Sequence, residues 1–554
     1  MDKLWLQQYQ EGVPYEIRPN TYASLVELFD STCQTHHENT AYVNMGALLT
    51  YGDIQILSTQ FASFLQTLGL KKGARVALML PNVLQYPVTL FGALKAGYTV
   101  VNTNPLYTAD EIIHQMNDSE AEVIVVLANF AKTLEEALPA IPSLKQVVIT
   151  EMGDLFPTFK RVLVNSVVKY FKKLIPSYQM PGAWSFRKAL AKGATHAWRP
   201  VTLTHEDIAL LQYTGGTTGI AKGAMLTHGN LVANVLQASA WLAPLDLGCQ
   251  DIIVTALPLY HIFSLTANCL TFFSVGAKNM LITNPRDLTR FINDIKHSGF
   301  TAITGVNTLF NALLHHKNFD SIDFSHLKLA LSGGMALQKS VAEQWQIRTH
   351  SPILEAYGLS ETSPAVTINP MYMTVYNGSI GLPLPSTNLS IRDEAGQEVA
   401  LGEQGELCIQ GPQVTPGYWR KEEETKISFW ADHFFRSGDI AKIDAKGFVY
   451  LVDRIKDMIL ISGFNVYPNE VEQVISLMPD VLEVGVIGIK DEEGNERVKA
   501  CVVKRHPALT SEAVIAHCKA HLAAYKIPKV VTFHNELPKT NVGKILRRAL
   551  KDFP

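Results

Sequence analysis

Residues 212–228 read QYTGGTTGIAKGAMLTH, a stretch dense in glycine and threonine with a lone lysine, Lys222. Small residues expose backbone N–H groups, hydroxyls add donors and the lysine adds charge, so the stretch has the chemistry of an anion-binding loop. It matches none of three common phosphate loops. Lys222 follows Ala221 and precedes Gly223, so the P-loop ending is absent. Gly215, Gly216 and Gly219 do not give the G-x-G-x-x-G spacing of a dinucleotide site or a kinase loop. The competing reading is a flexible turn between a strand and a helix.

The flanking sequence gives the loop its setting. ARVALMLP (74–81) and AEVIVVLA (121–128) are apolar, β-branched runs suited to buried parallel strands. Between them, YTADEIIHQM (107–116) opens a helix, with Thr108 and Glu111 at capping-box spacing. LTHEDIALLQYT (203–214) carries a similar helix-start signal before an apolar run into the loop. This alternation predicts α/β organisation with the loop at a strand end, where open sheets bind ligands. From about residue 378 the texture becomes rich in Gly and Pro with short strands, which predicts a β-rich part. A helix at 469–478, strands at 483–489 and 498–505 and a helix at 511–525 suffice for a separate C-terminal domain.

The 554 residues are too many for one core. With 47% hydrophobic and 18% charged residues the chain is globular, and a net charge of −3 gives no general pull toward nucleic acid. Six cysteines without a C-x-x-C pair predict reduced thiols in a cytoplasmic setting. The N-terminal residues lack the apolar stretch of a signal peptide. The apolar segment 262–277 is short of a membrane span and predicts a pocket wall or core helix.

Four further stretches follow the loop in order: EAYGLSET (355–362), RSGDIAKID (436–444), DRIKDMILISGFNVYP (453–468) and PKTNVGKILRR (538–548). With the loop they resemble the ATP-dependent adenylate-forming, or AMP-binding, enzymes over essentially the whole chain. NVLQYPVTLFGALKAG, NPLYT, LPLYHIF, NPRDL and TAITGVNTLFNALL bring the resemblance closer to bacterial long-chain fatty acid–CoA ligases. The resemblance implies an N-terminal domain over 1–455, with two α/β sheet subdomains in 1–377 and a β-rich, barrel-like subdomain in 378–455. It also implies a small mobile α+β domain over 456–554. The implied reaction has two halves: a carboxylate attacks the α-phosphorus of ATP to give acyl-AMP and pyrophosphate, then CoA thiolate displaces AMP. A medium-chain or aryl acid, or another acceptor, is the alternative.

Residue roles follow from the resemblance. Tyr213, Thr214, Gly215, Gly216, Thr217, Thr218, Gly219 and Lys222 would cradle phosphates. Gly334, Tyr357, Gly358 and Ser360 would line the nucleotide, Asp439 would meet the ribose, and Arg454 would add a second ribose or phosphate contact. Mg²⁺ would sit at Glu361 and Thr214, since hard oxygen ligands suit that ion. Lys544 would bridge carboxylate and α-phosphate, a role suited to a lysine's point charge. Lys456 is the implied pivot, Gly463 a CoA contact, and His261 and Gly305 acyl-pocket positions. Taken singly, Asp439 reads as a turn cap, Arg454 as a surface ion pair and Lys544 as a solvated helix-end charge, and only their joint spacing reverses that; Lys456 reads equally as a solvated lysine and His261 as a core histidine. ATP, CoA and a long-chain fatty acid are the implied substrates, and a homodimer remains open.

FKRVLVNSVVKYFKKLI (159–175) stands out from the slightly acidic chain, because no Asp or Glu occurs between Leu155 and His205. At helical spacing Leu163, Val167, Tyr170, Phe171 and Leu174 share a face, opposite Arg161, Lys169, Lys172 and Lys173, with Lys160 off the pattern. The expectation is a peripheral contact with the inner face of the cytoplasmic membrane; a core-packed helix with a solvated basic face is the alternative.

Overall fold

The two β-branched runs become neighbouring parallel strands, with Val76 opposite Val123. All five residues of Val123–Leu127 are buried, because a parallel strand is covered on both faces. They lie in a seven-stranded sheet ordered Trp184–Ser185, Gln146–Thr150, Val123–Leu127, Arg75–Met79, Thr99–Asn102, Ile208–Thr214, Lys222–Thr227; only the last pairing is antiparallel. A nine-stranded sheet runs Leu382–Pro383, Ala365–Ile368, Ile353–Gly358, Leu329–Gly333, Ala302–Gly305, Ile252–Thr255, Lys278–Leu281, Thr40–Asn44, Ala47–Thr50. It is parallel through its middle and antiparallel at both edges. This computed structural model describes residues 3–214, 221–461, 464–491, 495–540, 543–551 and 553.

One apolar layer joins the two sheets. The helix Gln85–Lys95 is apolar nearly all round, and every one of its residues is buried. Phe29 stacks on Phe91 at 3.9 Å and on Phe273 at 5.6 Å, which locks helices from both sheets together. The layer fixes the strand ends Thr214 and Gly358 on one cleft.

Local signals succeed where pairing agrees with them. Thr108 Oγ1 accepts the Glu111 N–H at 3.3 Å while the Glu111 carboxylate accepts the Thr108 N–H at 2.9 Å, a complete capping box. The similar signal at 203–207 opens no helix. There Asp207 accepts the Thr204 N–H at 2.7 Å and the Lys72 ammonium at 2.9 Å, closing a turn. The strand starts at once, because Ile208–Thr214 is held between two neighbours. The glycine loop also differs from a strand-to-helix turn. It joins two antiparallel strands, with Thr214 opposite Lys222, and the helix begins only at His228.

The segment at 262–277 is a buried wall: one turn, Ile262–Ser264, runs into a π-helix, Leu265–Phe272. Beyond it, Asn388–Arg392, Gly405–Gln410, Phe435–Ile443 and Val449–Arg454 form a four-stranded antiparallel sheet. The C-terminal part has the hairpin Ile459–Ile461/Phe464–Val466 and the three-stranded sheet Val481–Lys490, Glu496–Lys504, Val530–His534. Helices Pro468–Ser476 and Ser511–His521 bury Val471, Ile475 and Val514 against Val484 and Val486. Among the described residues no helix is long and apolar enough to cross a membrane.

Of residues 159–175 the helical part ends early: a helix, Thr158–Ser166, continues as a π-turn, Val167–Phe171, none of it fully buried, and Lys172, Lys173 (φ +51°) and Leu174 lie beyond its end. Val164 packs against the core from one side of this helix, while Phe159, Val162, Leu163, Tyr170 and Phe171 stay exposed.

Candidate active site

Two tight backbone turns shape the cleft. After the strand Ile353–Gly358 the chain folds back so closely that a Cβ on Gly358 would lie 2.0 Å from the Pro364 carbonyl oxygen. Only glycine fits there, and the turn presents Ser360 and Glu361 to the cleft. Gly334 has φ +83°, and its missing Cβ leaves room for Lys544: the Cβ position lies 3.1 Å from Cε and 3.4 Å from Nζ of that side chain. A cleft of about 1510 Å³ results, with Thr214, Lys222, Tyr357, Glu361, Asp439 and Lys544 on its walls.

The polar groups are arranged in a chain. Tyr357 OH donates to Asp439 Oδ2 at 2.6 Å, and the Arg454 guanidinium forms an ion pair with Asp439, Nε to Oδ1 at 3.0 Å. Each carboxylate oxygen keeps a further lone pair, so the aspartate can still accept from a diol. Burial, then the adjacent carboxylate, pushes the Tyr357 hydroxyl well above its usual range, so it stays a donor. The Lys544 ammonium is lowered to about 8, first by desolvation and then by Arg454, while Asp439 opposes the fall. Glu361 Oε1 accepts the Tyr418 hydroxyl at 2.7 Å. The Lys222 ammonium stands 4.0 Å from Glu424 and 5.6 Å from the Tyr418 ring.

The expected residues divide into three groups. Thr214, Lys222, Gly334, Tyr357, Gly358, Ser360, Glu361, Asp439, Arg454, Lys456, Lys544 and His261 line one cleft. His261 is lowered to about 3, first by desolvation and then by Lys544, and is uncharged; its Nδ1 accepts the Phe263 N–H at 3.4 Å. Tyr213 lines the cleft but commits its hydroxyl to Asp118 at 2.6 Å, which makes it an anchor of the loop. Gly305 lies off the wall: a Cβ there would meet the Phe310 ring at 2.8 Å. Gly215, Gly216, Thr217, Thr218, Gly219 and Gly463 lie outside the described residues.

Two cleft residues escaped the sequence reading. Glu355 is buried in the strand Ile353–Gly358, accepts the Leu337 N–H at 3.2 Å and is pushed up to about 8 by burial. Its signal was a glutamate inside a run of buried strand residues. Tyr418, which fixes Glu361, had no local signal.

Lys222, Arg454 and Lys456, two carboxylates each beside a tyrosine hydroxyl, and Lys544 brought in from the C-terminal part suit a polyanion and a reaction at its edge. Among the described residues no three His, Cys, Asp or Glu side chains cluster as a metal site. A lone Glu361 with Thr214 fits Mg²⁺, which keeps waters and takes phosphate oxygens.

The two large sheets, the small C-terminal part and the lysine it carries into the cleft define an adenylate-forming enzyme. The family model for AMP-binding enzyme matches residues 29–419, and that for the AMP-binding enzyme C-terminal domain matches 470–544. The chain belongs to the AMP-binding enzyme family. It is 52% identical to a long-chain-fatty-acid–CoA ligase of Salmonella typhimurium and 51% identical to one of Yersinia pestis, with 100% of this chain and 98% of each relative covered. It is similar to the solved structure of ATP-bound MatB from Rhodopseudomonas palustris, at 27% identity and a TM-score of 0.81, covering 95% of this chain and 98% of that chain.

Proposed function

We propose that this protein activates long-chain fatty acids with ATP, through an acyl-AMP, to acyl-CoA, releasing AMP and pyrophosphate. The observation that carries the reading is the placement of Lys544 beside Gly334, in a cleft that also holds Asp439 and Arg454. A carboxylate approaching a triphosphate brings two anions together, and the lysine's three donors can serve both. Asp439 and Tyr357 orient the nucleoside, and Lys222 with Thr214 meets the phosphates. Glu361 and Thr214 would hold Mg²⁺, which neutralises phosphate charge. Ala238, Leu242, Phe272, Leu331 and Ile368 form an apolar wall of the same cleft. Each methylene buried there contributes about 0.8 kcal/mol, which favours long acids.

Thioester formation needs Lys544 out of the way of CoA. The four-stranded sheet ends at Arg454, and the next strand starts at Ile459. We place the pivot at Lys456, in the turn between them, and divide the chain into 1–455 and a mobile 456–554. Two contacts hold the C-terminal part over the helix Asn307–Leu314: Thr308 Oγ1 to the Gly543 carbonyl at 2.9 Å and Asn311 Nδ2 to the Leu482 carbonyl at 3.1 Å. This is the arrangement for adenylation.

The enzyme works at the inner face of the cytoplasmic membrane. Phe159, Leu163, Tyr170, Phe171 and Leu174 are exposed, Phe159 and Phe171 by 84% and 81%, beside the exposed Lys169, Lys172 and Lys173. Lys160, off the helical pattern, instead turns inward to the Met45 carbonyl. An apolar surface rimmed by lysine suits an anionic bilayer, where acyl chains reside.

An acid panel with AMP and acyl-CoA quantified separately tests the activity. Palmitate should give equimolar AMP and acyl-CoA. Preference for a medium-chain acid or for coumarate, or AMP release without acyl-CoA, would overturn the substrate assignment.

A further inference from the structure

Arg547, three residues beyond Lys544, spends its whole guanidinium on acidic and amide partners. Nε and Nη2 donate to the two oxygens of Glu472 at 3.1 and 2.8 Å. Nη1 donates to Asp453 Oδ1 at 3.3 Å and to Asp457 Oδ2 at 3.2 Å, and Nη2 also reaches Asn469 Oδ1. The partners' places in the chain give the cluster its meaning. Asp453 belongs to the strand Val449–Arg454, ahead of Lys456, and its side chain is 0% exposed. Asp457 follows Lys456 directly, while Asn469 and Glu472 lie on the helix Pro468–Ser476. Asp453 also accepts the Asn469 N–H at 2.7 Å. One cation therefore ties the C-terminal part to a residue on the other side of the pivot.

Three carboxylates converge on this one guanidinium. A planar, bidentate donor is the side chain that holds such a set in fixed geometry. Without it, Asp453, Asp457 and Glu472 repel across the pivot. A turn about Lys456 carries Arg547, Glu472 and Asn469 together and leaves Asp453 with its sheet, so the Arg547–Asp453 contact belongs to the arrangement seen here. We propose that Arg547 is a positioning residue that latches the adenylation arrangement: it fixes the segment bearing Lys544 over the cleft and releases Asp453 before thioester formation. The proposal rests on the pivot reading.

The test measures the half-reactions separately, as ATP–pyrophosphate exchange and as acyl-CoA formation from supplied acyl-AMP. Arg547→Ala should lower the kcat of adenylation by roughly 5- to 150-fold, the usual range of a conformational coupling. The KM for ATP should hold, and the thioester step should stay equal or rise. Arg547→Lys, which keeps the charge but not the fork, should recover part of the loss. Asp453→Asn should act in the same direction, and adding it to Arg547→Ala should cost little more. Loss of both half-reactions together, or unchanged adenylation in Arg547→Ala, overturns the latch. If Arg547→Ala does not fold, the same split in Arg547→Lys and Asp453→Asn decides. Lys456→Pro separates the premises: normal acyl-CoA synthesis by that variant refutes the pivot, and any adenylation loss in Arg547→Ala then marks a support of Lys544 and not a latch.

Discussion

A lysine lowered to about 8 loses its proton within the working range of an assay. For the free enzyme, kcat/KM of adenylation should therefore fall above about pH 8, because the charged form bridges the two anions. The thioester step from supplied acyl-AMP should lack that limb. Lys544→Ala should remove it and cost about 10²–10³ in adenylation rate, as loss of one charge contact in a transition state does. Equal loss in both half-reactions would contradict this division of labour. Glu355 makes a second prediction. Its folded value is raised from 4.5 to about 8, so between those values the folded state holds a proton that the unfolded state has released. Stability is full below the lower value and declines as pH rises toward the upper one. Glu355→Gln should flatten this decline in thermal melts from pH 5 to 8; parallel pH profiles for the two proteins would show that the carboxyl keeps an ordinary value in the fold. The sequence made Lys544, Asp439 and Arg454 legible because their spacing recurs in a family. Glu355 was not legible, because its partner, the Leu337 N–H, is supplied by the fold.

Elements read well when one interaction dominates them. The buried strand Val123–Leu127 and the capped helix Ala109–Ser119 follow from burial and from a local hydrogen-bond pair. The 203–207 signal misled because a strand pairing outweighed a capping pattern, and the π-turns at 167–171 and 265–272 carry no signature in residue periodicity. The helix at 158–166 shows where sequence and structure combine. Helical spacing over 159–175 gave an apolar and a basic side; the helical part stops at Phe171, and the fold leaves Leu163, Tyr170, Phe171 and Leu174 exposed. Asn165 Oδ1 accepts the Gly153 N–H at 2.7 Å and fastens the helix, while Asn129 Nδ2 donates to the Leu174 carbonyl at 3.1 Å and holds the segment beyond its end. Each lysine near an anionic surface contributes about 1 kcal/mol. Changing Lys169, Lys172 and Lys173 together to Glu should reduce sedimentation with anionic liposomes at low salt and leave activity on detergent-dispersed fatty acid unchanged. Undiminished sedimentation would exclude this helix as the docking surface.

At the scale of the molecule, one active site must serve two reactions that compete for the same space. Lys544 fills the position beside Gly334, and in the proposed reaction it leaves that position before CoA attacks. The turn Ile455–Asp457 is the only covalent link from the four-stranded sheet to the hairpin that follows, so a change in backbone torsion there moves everything behind it. Lys456 sits in a 3-10 conformation, whose φ of about −50 to −70° proline also adopts. Lys456→Pro should therefore keep the present arrangement and resist the torsion change that rotation demands. Acyl-AMP should form at near the normal rate and accumulate, while acyl-CoA synthesis falls sharply. Lys456→Ala controls for the side chain, whose ammonium is lowered first by desolvation and then by Arg454. Alanine keeps the backbone free, so it should retain thioester synthesis. If Ala and Pro lose thioester synthesis equally, the side chain and not the torsion is responsible. If the proline variant makes acyl-CoA at the normal rate, the rotation turns elsewhere in the chain.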